Sequence, residues 1–287
     1  MIRLHAALAG LAIAFAASAQ AAQVNLWFAP SAPFSHFPTP ATTGSIVNPS
    51  GANNGYWRSN PVTIGPSSFN IEARGYTTAN GDGTGTFTQR DVRRFDGSTG
   101  LGVCDDRSSG SVDACTSPQH SVDNNGRDNL IVFDFGLDAN GNNNQFAPVQ
   151  FSIGWTNNSS CSSSTATGSS SCPDIEAWIG DTWPLSDFAA ISSSSAWKKI
   201  LPTGPSSDND IQVNTSSAAK YYDFLPGKGR YLIIAGERDG SHNDYFKLQS
   251  LVIEQLPPTE VPEPGTLGLL AAGSVLGLFL SRRRPRA

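Results

Sequence analysis

The residues able to do chemistry are few and scattered. His36, His120 and His242 each stand alone in polar turn sequence of the central region. A serine hydrolase needs a nucleophile on a strained turn with a histidine in hydrogen-bond reach, and no Gly-x-Ser-x-Gly occurs. There is no His-Glu-x-x-His zinc motif, no phosphate-cradling Gly-Lys-Ser/Thr loop and no dinucleotide fingerprint. Glycosidases need two carboxylates set across a cleft, but residues 22–260 hold 23 acids, so no pair stands out. The expectation is a protein that is not an enzyme, with a secreted hydrolase of unrecognised site kept as an alternative.

Oxygen ligands cluster at Asp123–Asp128, Asp138–Asn144 and Asp239–Asp244. Calcium takes six to eight hard oxygens, often from such loops. Asp244, beside Asn243 and Asp239, opens the last strong strand pattern and is the main candidate for a structural calcium. Asp, Asn and Gly are equally ordinary turn formers, and no other cofactor is indicated. Trp178, Trp183 and Trp197 lie close in sequence, and Trp183 and Trp197 fall outside clear alternation. They are candidates for stacking on sugar rings, or for simple core packing.

Cys104, Cys115, Cys161 and Cys172 form two local pairs, each with ten intervening residues. In an oxidising compartment disulfides are the default, and closing each local loop would contribute roughly 3 kcal/mol in the chain-entropy model. Local pairing, Cys104–Cys115 and Cys161–Cys172, is favoured over the cross-paired forms.

Period-2 segments must position whatever site exists. Val149, Phe151, Ile153 and Trp155 share one face of a half-buried strand, and Phe69, Ile71 and Ala73 alternate similarly. Leu130–Phe135 and Tyr231–Ala235 are nearly continuous apolar runs, as expected of central strands covered on both faces. Asp174–Ile179 and Tyr245–Glu254 are further strands, and a short helix fits only between Trp183 and Ile200. Gly-, Asn- and Asp-rich turns between such runs indicate an all-β, antiparallel β-sandwich or jelly-roll-like single domain over residues 22–256.

The two ends differ from this body. Residues 1–21 form a signal peptide pattern: Arg3, an apolar run from Ala6 to Ala17, then Ala19-Gln20-Ala21 as a small-x-small cleavage site. Residues 257–287 comprise a proline-rich spacer, then Val261-Pro262-Glu263-Pro264-Gly265. An apolar helix pattern over 266–280 follows, and then a basic stop over 281–287 with Arg282, Arg283, Arg284 and Arg286. The apolar run is shorter than the ~20 residues that usually span a bilayer, and the arginines would hold it at the cytoplasmic face. Residues 22–260 carry 14 Lys and Arg against 23 Asp and Glu, a net of −9. That charge repels phosphate backbones and excludes nucleic acid as a partner.

Motif, short helix and arginine cluster together resemble the PEP-CTERM sorting signal of Gram-negative exported proteins. The resemblance implies recognition by an exosortase and cleavage near Pro262-Glu263-Pro264. It further implies a precursor held in the inner membrane by its C-terminal transmembrane helix, and a mature form at the cell surface or outside the cell. In logic this parallels tails whose hydrophobic segment is removed. Gly100–Val103, Ser121–Phe135, Asp174–Trp178 and Asp244–Leu248 also resemble segments of other PEP-CTERM proteins, implying a surface β-sandwich of unassigned activity. The expected role is structural or adhesive, in an exopolysaccharide-associated surface, with a carbohydrate-binding module as the first alternative. Extracellular polysaccharide is the expected partner besides the exosortase.

Overall fold

The computed structural model describes residues 22–29, 41–49, 54–64, 67–80, 84–95, 100–104, 122–123, 127–138, 141–156, 175–201, 220–236 and 245–256. The signal-peptide and sorting-tail segments lie outside them, as do Cys115, Cys161 and Cys172. Among the described residues no helix is long and apolar enough to cross a membrane.

In chain order the strands begin with β1 (Ala22–Trp27), β2 (Gly44–Val47), β3 (Tyr56–Ser59), β4 (Val62–Ile64), β5 (Ser67–Phe69) and β6 (Glu72–Thr77). Next come β7 (Thr88–Phe95), β8 (Gly100–Cys104), β9 (Val122–Asp123), β10 (Asn129–Asp134), β11 (Phe146–Thr156) and β12 (Ile175–Gly180). After helix α1 (Phe188–Ser193) follow β13 (Trp197–Lys199), β14 (Lys220–Asp223), β15 (Tyr231–Gly236) and β16 (Tyr245–Gln255). All but the β4–β5 hairpin join one curled sheet of 14 strands, whose main path runs β13-β12-β15-β10-β6-β7-β8-β16-β11-β14. The strand pairings are antiparallel throughout, as the all-β reading requires.

The sheet doubles over because β7 serves both halves. Its Thr88–Arg90 pair with β6, while Asp91–Phe95 pair with β8. At the change-over Asp91 is buried and its Oδ1 accepts the Gly55 amide at 2.5 Å. The doubled sheet encloses the main core. Ile131, Phe133, Ala177, Leu232 and Ile234 from one half meet Leu101, Val103, Phe151, Leu251 and Ile253 from the other. Phe28 ties the halves at 5.7 Å from Phe133, and Phe135 stands 5.0 Å from Phe146, in the range where aromatic pairs add to area burial.

The central runs are covered on both faces, as their sequences require. Ile131 and Phe133 point into the main core, while Leu130 and Val132 join Ile233, Ala235 and Trp178 in a second cluster on the outward face. Phe188 and Ile191 of α1 cover that cluster. The helix occupies part of the span marked for it, and Asp187 caps its start by accepting from Ala190 N at 2.7 Å. The alternation of Phe69, Ile71 and Ala73 does not form one strand: β5 ends at Phe69 and β6 begins at Glu72. Ile71 N instead bonds the Ser59 hydroxyl at 2.9 Å, so the chain turns there while its apolar side chains still face inward.

Candidate functional site

The outward face beside α1 is where register gathers aromatic and polar side chains. On β6, Glu72, Arg74 and Tyr76 alternate with inward Ala73 and Gly75, which keep close contact with the opposite half. The pairing of β6 with β10 sets Tyr76 opposite Leu130, Arg74 opposite Val132 and Glu72 opposite Asp134. On the flanks, Gln89 of β7 is paired with Tyr76, and Tyr231 of β15 with Asp134. Because side chains alternate along a strand, these residues share one face.

The loop after β12 closes over them. It carries Trp183, in a cis Trp183–Pro184 peptide, and is fixed at both ends. Asp181 accepts from Gln145 Nε2 at 2.8 Å and from the Arg230 amide at 3.1 Å, while Phe87 N donates to Ser186 O at 2.7 Å. Trp183 Nε1 donates to the Tyr76 hydroxyl at 3.2 Å, and the two rings lie 5.0 Å apart, edge to face. Phe87 stacks on Trp183 at 5.8 Å. The result is a cavity of about 200 Å³ lined by Arg74, Tyr76, Gln89, Asp134, Trp183 and Tyr231 among others.

Its charges are internally matched. Arg230 grips Asp134 through two bonds, 2.7 Å from Nε and 2.9 Å from Nη2, and that hydrogen-bonded pairing raises the guanidinium pKa. Asp134 Oδ1 also accepts the Gly136 amide at 2.8 Å. Arg74 bonds Glu72 at 2.5 Å and lies over the Tyr56 ring at 4.3 Å. Burial, and then the Asp134 charge, hold the Tyr231 phenol above its ordinary pKa, so it is a neutral hydroxyl. Asp134 is the one carboxylate lining this cavity among the described residues, and both its oxygens are engaged.

A second depression, of about 260 Å³, lies on the far side of α1 between Trp178, Trp197, Ile191 and Ser192. Its rim is an ion pair, Lys199 Nζ to Glu176 Oε1 at 2.6 Å. The structure thus brings Trp183 and Trp197 to 6.5 Å of each other but gives them different roles. Trp197 is buried in the outward cluster, whereas Trp183 is partly exposed and walls the first cavity. Sequence reasoning missed Arg74, Tyr76, Gln89 and Tyr231. The usable signal was β6 itself, where long polar or aromatic residues alternate with Ala73 and Gly75.

The other candidates fare differently. Cys104 is buried at the end of β8, and the remaining three cysteines lie outside the described residues. Asp239, Asn243 and Asp244 lie outside them too. Among the described residues no three His, Cys, Asp or Glu side chains are grouped to hold a metal.

Comparison with protein families identifies the C-terminal tail. A family model described as the PEP-CTERM protein-sorting motif matches residues 260–284. The chain carries a PEP-CTERM sorting signal. Such a tail marks an exported protein that is sorted by an exosortase and anchored at its C-terminus before processing. The match includes Val261–Gly265, the apolar run and Arg282–Arg284. No curated protein and no solved structure matches the chain.

Proposed function

We propose that this PEP-CTERM protein is a non-enzymatic structural or adhesive component of an exopolysaccharide-associated bacterial surface. Its body, residues 22–256, acts as a sandwich-like domain displayed after cleavage near Pro262-Glu263-Pro264. The PEP-CTERM match at residues 260–284 carries this reading. The antiparallel body supports it, being built from paired strands with one closing helix. Two local disulfides, Cys104–Cys115 and Cys161–Cys172, belong to the same reading, since the exported body meets an oxidising compartment.

The test is mass spectrometry of the mature protein under non-reducing conditions, with Glu263→Ala and a deletion of Arg282–Arg286 as controls. The expected mature chain lacks peptides from 266–280, starts near Ala22 and shows both local cystine links. Both variants should accumulate as precursor in the inner membrane. A mature chain that retains 266–280 would replace sorting by a permanent anchor, and a Cys104–Cys161 or Cys104–Cys172 link would overturn the local pairing.

A further inference from the structure

We propose that the cavity between β6, β10, β15 and the Trp183 loop is a subsite for one pyranose unit of a neutral polysaccharide. This deepens the surface role above and rests on it for biological context, while the chemistry stands on the cavity itself.

Size comes first. At about 200 Å³ the cavity falls below the ~300–1,000 Å³ of sites for drug-sized ligands, which leaves room for one ring. Chemistry comes second. A pyranose presents an apolar C–H face and a rim of hydroxyls, so it needs an aromatic wall beside unspent hydrogen-bonding groups. Trp183 supplies the wall: it is partly exposed, and its own N–H is already satisfied by Tyr76. The Tyr76 hydroxyl accepts that bond and keeps its own proton to give. Gln89 spends its amide N–H on Asn54 O at 3.2 Å and leaves its carbonyl oxygen to accept.

Tyr231 is the most telling member. It is 93% buried by its 7% exposure, it lines the cavity, and its hydroxyl has no hydrogen-bond partner among the described residues. The ring is buried while the hydroxyl opens to the cavity, so it is free to exchange a hydrogen bond with a ligand hydroxyl there.

Charge decides between classes of sugar. Arg74 and Asp134 are the two ionic residues in the lining, and each is already paired, with Glu72 and Arg230 respectively. No unmatched cation waits for a carboxylate or sulfate, and the net −9 of residues 22–260 repels anionic polymers. A neutral unit is what remains.

The experiment titrates the full chain, held in a zwitterionic detergent without a sugar headgroup, with neutral gluco-, galacto- and manno-oligosaccharides and with uronate oligosaccharides. Tryptophan fluorescence and calorimetry are the readouts. At least one neutral oligosaccharide should bind, with a Kd no weaker than the millimolar range. Tyr231→Phe should weaken that binding by about tenfold, as for one lost hydrogen bond, with an unchanged melting temperature. Trp183→Ala should weaken it further, and Gln89→Leu repeats the test where the Trp183 loop is disturbed. Binding of uronates alone, no binding of any neutral sugar at about 10 mM, or unchanged affinity in Tyr231→Phe and Gln89→Leu would overturn the proposal. Because the readout is direct binding, failure here leaves the processing reading intact, and failure of processing leaves sugar binding measurable.

Discussion

At Gly100 the backbone φ is +102°, a left-handed conformation that L side chains rarely adopt, and β8 begins there. An added Cβ would run into the Leu248 carbonyl of β16, and Leu248 is the residue through which β16 pairs with Leu101. Strain and collision therefore act together at the seam between β8 and β16. Gly100→Ala should destabilise the fold by about 2–4 kcal/mol in urea unfolding, from the φ penalty plus backbone displacement. A loss below about 0.5 kcal/mol would mean that the seam yields freely. The tryptophans carry a different lesson at the same scale. Trp183 and Trp197 look alike in sequence, yet one is walled into the outward cluster while the other is left at a cavity mouth. Only the cross-strand neighbours separate them, and a linear pattern does not contain those.

Among the elements, Arg230 is the point where several meet. It precedes β15, clamps Asp134 at the end of β10, donates to Asn143 at 3.2 Å, and through its backbone amide holds Asp181 after β12. Arg230→Met should cost about 1.5–3 kcal/mol, since it leaves a half-buried carboxylate without its charged partner. Asp134→Asn in the same background should recover part of that loss, a coupling that a double-mutant cycle in urea measures; strict additivity would show that the two do not act as a pair. The strands that make this junction were legible because Leu130–Phe135 and Tyr231–Ala235 are strongly apolar runs. By contrast β7, Thr-Gln-Arg-Asp-Val-Arg-Arg-Phe, offers one clear core residue, Val92, and no apolar periodicity. It is a strand because its backbone is needed by both β6 and β8, a tertiary demand that overrides local pattern. The sorting tail was legible for the opposite reason: it is a linear signal, read residue by residue without folding. The cavity was not, because Tyr76 and Tyr231 are joined only by the register of three strands.

Over the whole molecule, acidic composition and a buried lysine together shape how stability answers to pH. Lys247 lies on β16 at 5% exposure, and burial lowers its ammonium pKa from 10.5 to about 8. The unfolded chain therefore binds more protons than the folded one between pH 8 and 10.5, and stability rises with pH across that window. A single such group contributes at most about 1.4 kcal/mol per pH unit. The tyrosines act in the other direction. Burial raises the phenol pKa values of Tyr221, Tyr222 and Tyr231, so the unfolded chain ionises first and stability falls once the pH passes their ordinary value of 10. The lysine effect should thus be visible alone between about pH 8 and 9.5, before the tyrosines respond. Urea midpoints of the wild type should climb through that interval, while those of Lys247→Met should stay level in it and fall with the wild type above pH 10. Equal slopes in both proteins would show that Lys247 keeps an ordinary pKa in the fold, and that the rise belongs to relief of some other charge.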